Sequence, residues 1–180
     1  MGSRVLVAVR VAAAPDRAFD LFTEHIGEWW LPNGLFQFTT QGPGRLVFEP
    51  GPSGRLVERQ PDGELFEVGR VRVWERPSRL VFSWRQASFD VDQTTEVHVR
   101  FDPVGSETRV TVEHIGWDTI PQEHAARHGF PLEATQQRLA EWWQTLLRSY
   151  RRQLTKDGTG VGTHRPDDDP PDARTSQDET

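Results

Sequence analysis

Hydrophobic positions along this chain recur in two rhythms, and the change from one to the other organises the reading. From Leu132 to Leu154, residues Leu139, Trp142, Trp143, Leu146, Leu147, Tyr150 and Leu154 fall mostly three or four positions apart, the spacing of one face of an α-helix. At about 1.5 Å per residue, such a helix is roughly 35 Å long. Arg138, Glu141, Arg148, Arg151 and Arg152 fall mostly off the stripe and are expected to face water. A helix carrying two Trp and a Tyr on one face needs a broad apolar surface to lie on.

Upstream the period is two, the signature of strands. Val5, Val7, Val9 and Val11 alternate with Leu6, Ala8 and Arg10. Pro15 then fits the first turn of a helix with Asp16 at its positive end, and Ala18, Phe19, Leu21 and Phe22 give that helix a buried face. A second short helix is expected over Glu24 to Trp30, ended by Leu31-Pro32-Asn33-Gly34. Strands follow at Arg45–Glu49, Arg55–Arg59, Leu65–Glu75, Leu80–Trp84, Glu96–Phe101 and Arg109–His114, separated by turn clusters such as Gly51-Pro52-Ser53-Gly54 and Gln60-Pro61-Asp62-Gly63. Within Leu65–Glu75 the apolar phase slips between Val68 and Val71, which places a bulge at Gly69. Turns this short predict one antiparallel, meandering sheet. Thr119 as cap, with Gln122 three residues on, predicts a short helix through about His128.

Composition narrows the possibilities. One core is expected for 180 residues that are 35% hydrophobic. With no Cys, disulfides, thiolate metal sites and cysteine nucleophiles are excluded. No apolar run reaches about 18 residues, so no membrane span is predicted, and no signal-like segment opens the chain; a soluble cytoplasmic protein is expected. Beyond Thr155 the apolar period is lost among Gly, Pro, Asp, Ser and Thr. A folded domain over 1–155 and a disordered acidic tail over 156–180 are therefore expected. That tail holds most of the net charge of −6, and the near-neutral remainder gives no support to nucleic-acid binding.

In that frame several segments become recognisable together: Gly69-Arg70-Val71 leading to Trp74-Glu75-Arg76-Pro77, then Ser78-Arg79-Leu80-Val81-Phe82-Ser83-Trp84, Thr95-Glu96-Val97-His98-Val99-Arg100-Phe101, and Thr108-Arg109-Val110-Thr111-Val112-Glu113-His114-Ile115-Gly116-Trp117. This resembles the SRPBCC (START-like, helix-grip) superfamily, in the branch named after the C-terminal domain of the activator of the 90-kDa heat-shock-protein ATPase. The similarity covers about Arg4 to Leu154. It implies an α+β helix-grip fold, a curved antiparallel sheet wrapped around the long C-terminal helix, with two short helices after the first strand. It also implies a cavity between sheet and helix, commonly for an apolar ligand.

Seven Trp and ten Phe can fill a core or line such a cavity. Trp29, Trp30, Phe48, Phe66, Trp84, Trp117, Trp142 and Trp143, with Phe36 and Phe130 beside them, are the candidate ligand-binding aromatics. Taken singly, each is more readily read as packing. His114 shares the face of Val110 and Val112. It is read as a core histidine bonded to a backbone group, with a polar ligand anchor or a general base as the sharper alternative. Glu113 and His98 fall on the opposite face. His124 and His128 are four apart, but the His-Glu-x-x-His order and a third ligand are lacking, so no metal is expected. Nucleophile-elbow, P-loop and dinucleotide motifs are missing as well, and no cofactor is expected. Arg70, Arg72 and Arg85 are expected on one sheet face, paired with Glu67 or Glu75.

The function expected from all this is a non-catalytic domain that binds a small apolar ligand or a protein partner. The alternatives are a chaperone ATPase-activator-like regulator, and an enzyme resembling polyketide aromatase/cyclases with His114 or Glu113 as acid or base.

Overall fold

In the computed structural model, residues 2–158 are described. Most of the stretch expected to be a disordered tail lies outside them. Seven strands pair in the order β1-β7-β6-β5-β4-β3-β2: β1 Arg4–Val11, β2 Arg45–Phe48, β3 Arg55–Arg59, β4 Leu65–Glu75, β5 Arg79–Trp84, β6 Thr95–Val104 and β7 Glu107–Ile115. Every pairing is antiparallel. Only β1 is out of sequence, closing against β7. Between β1 and β2 come α1, Pro15–Glu24, and α2, Ile26–Trp29. The chain ends in α3, Leu132–Gly158. This is the α+β helix-grip arrangement.

The sheet curls because β4 is irregular on both sides. Against β3, Leu56 pairs with Gly69 and Val57 with Glu67, leaving Val68 extra. Against β5, Val71 pairs with Phe82 and Val73 with Val81, leaving Arg72 extra. Bulges of this kind bend a strand and increase its twist. Gly69 sits between them because the Ser83 carbonyl occupies the space a Cβ would need.

On α3 the buried residues are those of the predicted stripe, with Thr135 added. The helix continues past Leu154 through Lys156 and Asp157 to Gly158. Tyr150 ties it to α1: its hydroxyl donates to the Ala18 carbonyl at 2.6 Å, and its ring meets Phe22 and Trp29 edge-on. Burying a ring that size contributes roughly 2–3 kcal/mol, and its hydroxyl is not left unpaired.

Two local expectations are corrected. Thr119 to His128 is not one helix but two short 3₁₀ turns, Trp117–Thr119 and Ala125–Arg127. The Thr119 hydroxyl turns back to the Gly116 carbonyl, Gln122 donates to the Gly129 carbonyl, and the His124 ring caps the second turn instead. Strands β6 and β7 also run further than their alternation suggested, to a tight turn at Gly105 and Ser106.

A candidate binding cavity and a sealed histidine centre

Eight of the nine candidate residues fall into three groups, and Phe66 stands apart. Trp29 and Phe48 are core. Trp29 is fully buried and donates its indole N–H to the Leu21 carbonyl at 3.2 Å, while Phe48 packs against Trp74 and Phe82. Phe66 is half-buried with the Arg85 guanidinium over its ring at 5.0 Å. Of the other two arginines expected there, Arg70 pairs with Glu67, and Arg72 pairs with Glu96.

Trp84, His114, Trp117 and Trp143 meet in a second group, each 1% exposed or less. The His114 Nε2 lies 2.8 Å from Thr95 Oγ1 and 3.2 Å from Trp117 Nε1, and its Nδ1 lies 3.2 Å from Trp143 Nε1. Thr95 donates its hydroxyl proton to the Trp84 carbonyl at 2.9 Å, so it accepts from a protonated Nε2 and Nδ1 accepts from Trp143, which leaves the Trp117 indole N–H facing Nε2 without a lone pair to accept it. That tautomer is assigned from the network. A neutral imidazole has one lone pair for two indole donors, and an imidazolium would have none. Burial lowers the His114 pKa to about 3, in the same direction. His114 is the core histidine expected from its strand phase, but its partners are side chains rather than backbone. A buried ring held neutral among donors is poorly placed for proton transfer.

The third group is the pair Trp30 and Trp142, and they line a cavity of about 490 Å³. That volume is in the range of small-molecule sites. Its walls come from the segment after α2, from β2 and β3, and from α3. Phe36 stacks on Trp142 with centroids 5.1 Å apart at 6°, and Phe38 stacks on Trp30 at 6.0 Å. The Trp142 indole donates to the Leu31 carbonyl at 3.1 Å, which fixes that ring at the wall.

The cavity also holds two buried polar residues that the sequence reading passed over, Glu58 and Gln60. Leu46 pairs with Glu58 and Phe48 with Leu56, so Glu58 points inward beside apolar neighbours. The Gln60 amide nitrogen donates to Glu58 Oε1 at 2.6 Å and to Thr39 Oγ1 at 3.2 Å. Burial pushes the Glu58 carboxyl above its ordinary value. The Gly44 backbone amide, the Thr39 hydroxyl and the Gln60 amide oppose that rise. Gly44 presses against this group: a Cβ there would stand 2.8 Å from Glu58 Cγ. The signal available in the sequence was phase, since Leu56, Glu58 and Gln60 are two apart and share a face.

His124 and His128 are drawn to different partners, the Ala126 amide and the Leu35 carbonyl. Among the described residues no group of three or more His, Asp or Glu is placed to hold a metal, and no helix is long and apolar enough to cross a membrane.

Among curated proteins none matches the chain at a significant level. Solved structures do. Protein MLL2253 from Mesorhizobium loti is 19% identical, with 86% of this chain and 98% of that one covered at a TM-score of 0.60. Protein NE0264 from Nitrosomonas europaea is 14% identical, with coverage of 86% and 95% and a TM-score of 0.58. Both show the fold. A structure described as an anthrahydroquino-γ-pyrone synthase is 32% identical, covering 73% of this chain and 83% of that one, but its TM-score is 0.46. The fold agrees with the SRPBCC resemblance drawn from the strand motifs. Residues 12–152, well over half the chain, match the family described as Activator of Hsp90 ATPase homolog 1-like protein, and the chain belongs to that family.

Proposed function

We propose that this chain is a non-catalytic binding domain whose ligand is a small, largely apolar molecule of aromatic size, held in the cavity lined by Trp30 and Trp142. Family and fold support a ligand-binding or regulatory domain, with a small molecule or a protein as partner. One observation favours the small molecule: a 490 Å³ cavity walled by Trp30, Phe36, Phe38 and Trp142 with a few convergent polar groups, the composition such sites share. The sealed His114 centre supports the non-catalytic part: of the two candidate acid–base residues, His114 is occupied by packing and hydrogen bonds, and Glu113 is paired with Arg4.

Titration with 2-methylnaphthalene, followed by tryptophan emission, tests the reading. Saturable quenching is expected in the wild type. Gln37→Trp adds bulk at an exposed position of the rim and is expected to weaken binding about tenfold. Emission that never saturates, or saturates equally in Gln37→Trp, would sink it.

A further inference from the structure

Three buried side-chain polar atoms lack a hydrogen-bond partner among the described residues: Gln60 Oε1, Trp84 Nε1 and Arg127 Nε. Of their parent residues, only Gln60 lines the large cavity. Gln60 is 5% exposed, and its nitrogen is already committed to Glu58 and Thr39. Its oxygen is an acceptor awaiting a donor, and natural proteins seldom leave such an atom unpaired without a reason.

Glu58, beside it, lacks a counter-charge. Among the described residues no basic group forms an ion pair with it; its neighbours are the neutral donors already named. Two arginines contribute to the cavity lining, Arg45 and Arg59. The Arg45 side chain lies against Gly27 and acts on Glu28, and Arg59 is exposed at the next strand position. The floor therefore presents two acceptors, one of them a carboxylate, under an aromatic wall. A neutral hydroxyl would satisfy Gln60 and leave the charge of Glu58 unmatched. An ammonium group answers both, and aromatic walls tolerate cations well.

We infer that the cavity selects ligands carrying a protonated amine on an aromatic or apolar body, with Gln60 Oε1 accepting an ammonium N–H and Glu58 supplying the counter-charge. This rests on the cavity being the binding site proposed above. The Trp30 and Trp142 rings hold the apolar body.

The test compares three naphthalenes of one shape on the full chain at pH 7.5: 2-naphthylmethylamine, 2-naphthylmethanol and 2-naphthoate. The amine is expected to bind about tenfold tighter than the alcohol, and the carboxylate weakest. Glu58→Gln keeps an acceptor for the Gln60 amide and should reduce the amine to the level of the alcohol. Gln60→Met should weaken both the amine and the alcohol. Circular dichroism confirms that each variant is folded. An alcohol that binds as tightly as the amine, or an amine preference that survives Glu58→Gln, overturns the inference while the cavity stands. If none of the three binds, the cavity reading falls and the amine preference falls with it.

Discussion

Two neighbouring residues on α3 serve two unlike regions. Trp143 gives its indole N–H to His114, in a centre where four large side chains are sealed from solvent. Trp142 gives its N–H to the backbone at Leu31 and turns its ring to a cavity. Each region contains a buried ionisable group on an inward strand position and an unpartnered polar atom, Trp84 Nε1 in one and Gln60 Oε1 in the other. His114 does not line the cavity, and the protein supplies the partners the ring has. At Glu58 the surroundings stop short, and space remains for a molecule that would complete them. Buried polarity alone does not mark a site; buried polarity facing an open volume does.

The contrast breaks most visibly through His114. Replacing it with Ala removes a packed ring and orphans the Trp143 donor, so a loss of roughly 4 kcal/mol in urea unfolding is expected. Affinity of the folded protein for 2-naphthylmethylamine should stay within about twofold. A selective loss of affinity would move His114 into the binding site.

The pH dependence of stability separates the two groups by sign. His114 stays neutral in the fold well below its ordinary 6.5, so the unfolded chain takes up a proton that the folded chain refuses. Its contribution is complete above about pH 6.5 and is lost as pH falls toward 3. Glu58 runs the other way: its folded carboxyl keeps its proton to higher pH than the unfolded 4.5, so its contribution is largest below 4.5 and is lost as pH rises through the raised value. Melting curves of wild type and Glu58→Gln from pH 4 to 8 should diverge upward in pH, the variant gaining.

The neighbouring tryptophans sharpen the point. Trp143→Phe should cost about 1–2 kcal/mol through the lost donor, with ligand affinity unchanged. Trp142→Phe should weaken 2-naphthylmethylamine a few-fold while stability changes by about 1 kcal/mol or less. The smallest effect is a gain. Glu58→Gln removes an unpaired buried charge and should raise stability at pH 7 by roughly 1 kcal/mol, at the expense of the amine preference. A loss of stability there would mean that the carboxylate is better compensated than its neighbours suggest.

Much of the fold was legible because its signals are periodic. The α3 stripe and the strand alternations each declare a face, and the phase of Val110 and Val112 sent His114 inward correctly. The cavity was harder to read. Phe36 and Phe38 lie in a segment without period, positioned by Asn33, Trp142 and Ala87 rather than by local propensity. Gln60 was hidden inside a strong turn signal, Gln60-Pro61-Asp62-Gly63, which is indeed a turn. A turn residue that also completes the face of Leu56 and Glu58 answers to two rules, and the louder one was heard. Thr119 and Gln122 failed as a helix start because each found a nearer carbonyl.

Gly44 contributes no functional group, yet a Cβ there would stand 2.5 Å from the Arg59 carbonyl and 2.8 Å from Glu58 Cγ, so the strand and the Glu58 side chain keep their places because nothing projects from that position. This gives a way to sort relatives that aromatic content does not, since many of this chain's aromatics are packing. A glycine, a glutamate fourteen positions on and a glutamine two beyond it form a compact sequence signature for the acceptor floor. A family member with a bulky residue at the first of these positions should have surrendered that floor, even with every tryptophan retained.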